Sequence, residues 1–100
     1  MIKLLVSQYT LAELSDAIGA TLHGSTREQA QGFRAAGVGT ESLALQDGAL
    51  FVALRGERFD AHAFVPDVLK EGACAAMVEE VPSGAEGPML VVEDTLLALQ

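Results

Sequence analysis

Leu50-Phe51-Val52-Ala53-Leu54-Arg55-Gly56-Glu57-Arg58-Phe59-Asp60-Ala61-His62-Ala63-Phe64 is the stretch on which the fold turns. Its first five residues are all apolar, as expected of a strand covered on both faces. Gly48 before them and Gly56 after them favour a strand over a buried helical turn. A charged loop follows at once and holds Arg55 and Arg58, two of the six basic residues of the chain. In an open α/β sheet ligands settle beyond the carboxyl ends of the strands, so this junction is where an anion is expected.

Beyond the loop, Phe64, Val65, Val68 and Leu69 form a helical apolar stripe. Pro66 falls in the first turn, where its missing N–H costs little, and Lys70 and Gly72 mark the end. Ala73 to Val78 reads as a second buried strand, which makes strand, helix and strand a parallel βαβ unit. Glu79 to Pro88 contains two prolines, two glycines and three glutamates and is expected to be a solvated loop. Met89 to Val92 is a further short apolar strand. Asp94 or Thr95 then caps a helix whose Leu96, Leu97 and Leu99 start an apolar face. A helix of that length is not stable by itself in water, and the expectation is that the chain is the front piece of a longer protein.

Before the central stretch, Lys3 to Val6 is expected to form a short edge strand. Thr10-Leu11-Ala12-Glu13 matches a capping box, so a helix should start at Thr10. Leu11, Leu14 and Ile18 line one face of it and Gly19 ends it. Ala20 to His23 is a short strand candidate ahead of the turn residues Gly24-Ser25-Thr26, and Arg27 to Gly32 carries no decisive pattern. Phe33 to Val38 is a strand candidate weakened by its alanines and Gly37, and Gln46-Asp47-Gly48 is a turn. The fold class is therefore α/β: a small mixed, largely parallel sheet of about five strands covered by helices.

At 100 residues, half of them apolar, the chain has material for one core and one domain. Its formal charge of −8 repels both the nucleic-acid backbone and an anionic membrane surface, so neither is an expected partner. Cys74 is the only cysteine, which rules out an internal disulfide and suits a reducing compartment. The opening residues are too briefly apolar for a signal or a membrane span, and the expected location is the cytoplasm.

Catalytic equipment is sparse. Neither Lys3 nor Lys70 sits in the G-x-x-x-x-G-K-[ST] pattern that cradles nucleotide phosphates. His23 and His62 lack companions at metal-ligand spacing, so no metal is expected. Asp60 and His62 supply the residue types of an acid/base pair for a serine such as Ser42, but charged loop residues of this kind more often hold a loop.

Gly37-Val38-Gly39-Thr40-Glu41-Ser42, the spacing to Gly48, the stretch from Leu50 to Phe64, Glu71-Gly72-Ala73 and Val92-Glu93-Asp94-Thr95-Leu96 together strongly resemble the N-terminal domain of MurF-type Mur ligases. The resemblance covers essentially the whole chain. It implies the first domain of a three-domain cytoplasmic enzyme of peptidoglycan precursor synthesis, which uses ATP and Mg2+ to join D-alanyl-D-alanine to UDP-N-acetylmuramoyl-tripeptide. It also implies that this domain holds the UDP end of that substrate. The ATP site and the chemistry would lie in domains not represented in these residues, leaving this chain non-catalytic and without a cofactor of its own.

Residue by residue, the resemblance places substrate contact on Ser42 and on the loop Arg55, Gly56, Glu57, Arg58, Phe59, Asp60 and His62. Arg58 would attract phosphate, Phe59 would offer a ring face to the base, and Gly56 would let the backbone approach closely. Asp60 and His62 would chiefly hold the loop. The family commonly has Asp-Ser/Thr-Arg where this chain has Glu41-Ser42-Leu43, so a fork of donors suited to diphosphate is missing at position 43. The residues by themselves suit blander roles as well: Phe59 as a core plug, Arg55 and Arg58 as partners of nearby carboxylates, Asp60 as a helix cap, Ser42 as a turn hydroxyl. An alternative reading is a non-enzymatic interaction module that keeps the fold with a decayed nucleotide site.

Overall fold

The structure, a computed structural model, describes residues 6, 8–57 and 59–100. Helix α1 (Leu11–Ile18) begins as its sequence predicts: the Thr10 hydroxyl accepts from the Glu13 N–H, and the Glu13 carboxylate accepts from the Thr10 N–H. It ends at Gly19, whose φ of 70° closes the last turn in the left-handed region. Strand β1 (Thr21–His23) follows, then a one-turn helix, α2 (Arg27–Ala30). The polar segment without a decisive pattern thus folds because of a second capping box, in which Thr26 and Gln29 exchange side-chain and backbone bonds.

Next come β2 (Val38–Gly39), a 3-10 turn over Ser42–Ala44, β3 (Leu50–Val52) and a 3-10 turn over Ala61–Phe64 that runs into α3 (Val65–Glu71). β4 (Ala75–Val78), β5 (Met89–Val91) and α4 (Thr95–Leu99) complete the chain. The five strands form one sheet in the order β1-β5-β4-β3-β2. β2, β3, β4 and β5 run parallel, and β1 pairs antiparallel with β5. The expected βαβ unit is β3-α3-β4, with Phe51 opposite Ala76 in the ladder.

Leu50, Phe51 and Val52 are all fully buried because each face of the sheet has its own cover. Leu50 and Val52 pack with Ala75, Met77 and Leu90 under Leu11 and Leu14 of α1. Phe51 and Ala53 pack with Ala76, Val78 and Met89 under Val65 and Val68 of α3. Burial on both sides is what turns the usual alternation into an uninterrupted apolar run. Among the described residues no helix is long and apolar enough to cross a membrane.

Among the described residues the strand expectations all shrink: Ala20–His23 to Thr21–His23, Ala73–Val78 to Ala75–Val78 and Met89–Val92 to Met89–Val91, and two others with a visible cause. Of Phe33–Val38 only Val38 is extended in the ladder, since the Phe33 carbonyl accepts from Leu11 and the Ala36 N–H donates to Gly48, each a loop partner. The run Leu50–Leu54 leaves the strand after Val52 because the Leu54 carbonyl turns to the Ala61 N–H, 2.9 Å away. Lys3, Leu4 and Leu5 of the expected edge strand lie outside the described residues.

Candidate functional site

The carboxyl ends of β3, β4 and β5 open onto a cleft of about 480 Å³. The loop after β3 contributes Leu54, Arg55, Gly56 and Phe59 to its lining, the end of β4 contributes Glu79, and the start of α4 contributes Asp94, Thr95 and Leu96. A second cleft of about 260 Å³ is lined by Thr40, Ser42 and Leu43 together with Phe59 and Phe64. Phe59 borders both and is 57% exposed, so it is a wall rather than a core plug.

The loop is a closed hairpin. Arg55 and Asp60 form an isolated antiparallel bridge, the Leu54 carbonyl accepts from Ala61, and the Gly56 N–H donates to the Phe59 carbonyl at 2.8 Å. Gly56 is not among the glycines with positive φ. A Cβ there would lie 3.7 Å from the Phe59 ring, an ordinary contact, so the ring already occupies the space beside the glycine. Glu57 is exposed, and Arg58 lies outside the described residues.

Arg55 is held on three sides. Its Nε donates to Asp60 Oδ2 at 3.0 Å, one terminal nitrogen to Glu79 Oε1 at 3.1 Å and the other to Glu80 Oε1 at 2.6 Å. Among the described residues three carboxylates face this one guanidinium, which ties Arg55 into the rim as a strut. Asp60 also accepts the His62 N–H at 2.9 Å, which caps the 3-10 turn. That backbone bond is the main cause that brings its carboxyl down to about 2, with the His62 ring and Arg55 adding to it against the opposing effect of burial.

His62 is buried, with Nδ1 2.6 Å from Asp60 Oδ1 and Nε2 accepting the Glu79 N–H at 2.9 Å. An acceptor at Nε2 puts the ring hydrogen on Nδ1, aimed at Asp60. Both nitrogens are therefore engaged, and the pair is not an acid/base dyad facing Ser42. Ser42 instead opens the 3-10 turn after β2 and lines the smaller cleft, on the other side of Phe59 from Arg55.

Sequence reading missed Glu79 and took Thr95 only as one of two candidates for the cap of α4, a place that Asp94 holds. Glu79 Oε2 accepts the Thr95 N–H at 3.0 Å, and the buried Thr95 hydroxyl donates to the Ala53 carbonyl at 2.8 Å. The expected solvated loop from Glu79 to Pro88 therefore begins with a residue fixed in the rim. The available signal was position: Glu79 is the first polar residue beyond a buried strand, as Arg55 is beyond the run that contains β3. Among the described residues no three His, Cys, Asp or Glu side chains come together as a metal-ligand set. The carboxylates that do converge, those of Asp60, Glu79 and Glu80, enclose the Arg55 guanidinium. The Cys74 thiol is pushed up to about 11 by burial, which keeps it protonated and unreactive near neutrality.

The model of the Mur ligase family, described as "Mur ligase family, catalytic domain", matches residues 34–95. UDP-N-acetylmuramoyl-tripeptide–D-alanyl-D-alanine ligase of Escherichia coli K12 is 39% identical over 89 residues, which are 89% of this chain and 18% of that protein. UDP-N-acetylmuramoyl-L-alanyl-D-glutamate–2,6-diaminopimelate ligase of Parabacteroides distasonis is 37% identical, over 87% of this chain and 18% of that protein. A crystal structure of MurF from Acinetobacter baumannii aligns with a TM-score of 0.76 and 40% identity, over 91% of this chain and 19% of that one. The chain thus spans about a fifth of the length of these relatives. With more than half of its residues under the family match and its fold aligned over 91% of the chain with a solved MurF, the chain belongs to the Mur ligase family, as an N-terminal domain of the MurF type.

Proposed function

We propose that this domain docks the UDP end of UDP-N-acetylmuramoyl-tripeptide for a ligase of peptidoglycan precursor synthesis, in the cytoplasm, with ATP, Mg2+ and bond formation handled by other domains of the full-length protein. The names of the two relatives support this reading: they differ in the amino-acid part of the substrate and share UDP-N-acetylmuramoyl. A domain common to both suits the shared portion. One observation carries the assignment to these residues. Phe59 stands exposed between two clefts at the carboxyl ends of the parallel strands, where a planar base can meet its ring face.

Ser42, Gly56, Glu57 and Phe59 are the contacts we assign to the nucleotide, and Arg58 to phosphate. Arg55, Asp60 and His62 shape the loop that presents them. Titration of UDP-N-acetylmuramoyl-tripeptide into the chain, followed by backbone amide shifts, is the test. Perturbations concentrated at Ser42 and from Gly56 to Phe59 are expected; an unchanged spectrum at millimolar ligand overturns the assignment. That second result would favour an interaction module with a decayed nucleotide site, a reading supported by the fully exposed Leu43 at the position where the family commonly has arginine.

A further inference from the structure

The larger cleft has two walls that come from distant parts of the chain, the loop after β3 and the start of α4. One carboxylate touches both. Glu79 Oε1 takes Arg55 at 3.1 Å and Oε2 takes the Thr95 N–H at 3.0 Å. Its own N–H, donated to His62 Nε2 at 2.9 Å, fixes where the side chain starts. The Glu79 side chain is only 20% exposed, against 71% for neighbouring Glu80, which meets the same guanidinium from solvent. Glu80 is thus a screened surface partner, whereas Glu79 is a part of the cleft itself.

We propose that Glu79 is a positioning residue that sets the spacing between the two cleft walls and thereby the affinity for the nucleotide, an inference that rests on the docking function above. Both of its oxygens are used: Oε1 accepts from the Arg55 guanidinium, which has donors only, and Oε2 accepts from the Thr95 N–H, with the Thr95 hydroxyl 3.3 Å from the same oxygen. Glutamine at position 79 keeps the size but has one accepting oxygen, so its amide N–H must face one of the two donors. Aspartate keeps the charge but is one methylene shorter and reaches a single wall. Each substitution uncouples the walls while leaving both hydrophobic clusters intact.

The experiment compares the parent chain with Glu79→Gln and Glu79→Asp, using UDP as the probe. Three quantities are read: the thermal midpoint, hydrogen exchange of the Thr95 amide without ligand, and the Kd for UDP from amide shifts. Expected are a midpoint lowered by several degrees in a chain that still folds, Thr95 exchange faster by about tenfold, and a Kd weaker by about tenfold, the loss of one charge-assisted bond in each case. The aspartate variant supplies the same readings if the glutamine variant fails to fold. Unchanged Thr95 exchange overturns the bridging role. Faster exchange with an unchanged Kd overturns the link from wall spacing to affinity. A parent that binds no UDP overturns the docking function instead, and the exchange comparison, which uses no ligand, still decides whether Glu79 joins the walls.

Discussion

The two polar regions of this molecule are built on opposite plans. Around α1 and α2 the side-chain bonds are short in sequence: Thr10 with Glu13 and Thr26 with Gln29, each three residues apart, and the exposed Asp16 with Arg27. Around the cleft, the local contacts of Asp60 with His62 and Arg55 are tied to the rest of the fold by bonds that span 17 residues from Glu79 to His62, 24 from Arg55 to Glu79 and 42 from Thr95 to Ala53. The first kind stabilises a helix that the chain already favours. The second kind closes only once the sheet is in place, and it decides where three loops sit relative to one another. A region meant to hold one shape against a ligand gains from the second plan, since each contact removes a loop's freedom to move independently.

If this contrast is energetic as well as topological, rim substitutions should cost more than cap substitutions. His62→Ala is the largest expected effect. It removes a buried ring, orphans the Glu79 N–H and takes the ring partner from Asp60, for a loss of about 3 to 4 kcal/mol in urea unfolding followed by circular dichroism. Thr95→Val conserves shape but leaves the Ala53 carbonyl without its donor, with an expected cost of about 1 to 3 kcal/mol by the same measurement. Thr10→Ala removes one side of a helix cap and should cost about 1 kcal/mol. A Thr10 variant as damaging as the His62 variant would show that the two plans differ in reach alone.

The same contrast explains what could be read from the chain. The α1 cap, Gly19, the β3-α3-β4 unit and the two-faced burial of Leu50 to Val52 follow from periodicity and local chemistry, and all were legible. Phe33 to Val38 was not, because the bonds that keep it out of the sheet lead to Leu11 and Gly48, far away in sequence. The loop from Arg55 to His62 could be located but its internal roles could not. Whether Arg55 is a hook or a strut depends on Glu79 and Glu80, more than twenty residues on. Glu79 carries no motif, and the cap reading of Thr95 does not point to its long-range partners; only the finished sheet brings the ends of β3, β4 and β5 together.

The smallest expected effect is also the most specific to the rim, and it concerns acid. Asp60 is held at about 2, well below the ordinary aspartate range, mainly by the His62 N–H. A folded-state value depressed in this way means that the native chain binds this proton less readily than the unfolded chain does. The contribution is therefore fully present above about pH 4 and is lost as pH falls through the folded value near 2. The Asp60 side chain is 44% exposed, so solvent screens the interaction and the change in global stability is slight. The local consequence is sharper, because a protonated Asp60 gives up its charge toward both the His62 N–H and Arg55 Nε. The Asp60 carboxyl carbon, followed by NMR, should titrate near 2, and the His62 amide should move with it, while the Thr10 and Thr26 amides, bonded to other side chains, should not follow that midpoint. A carboxyl that titrates near 4 would show that the rim does not hold Asp60, and the contrast between the two regions would lose its clearest electrostatic sign.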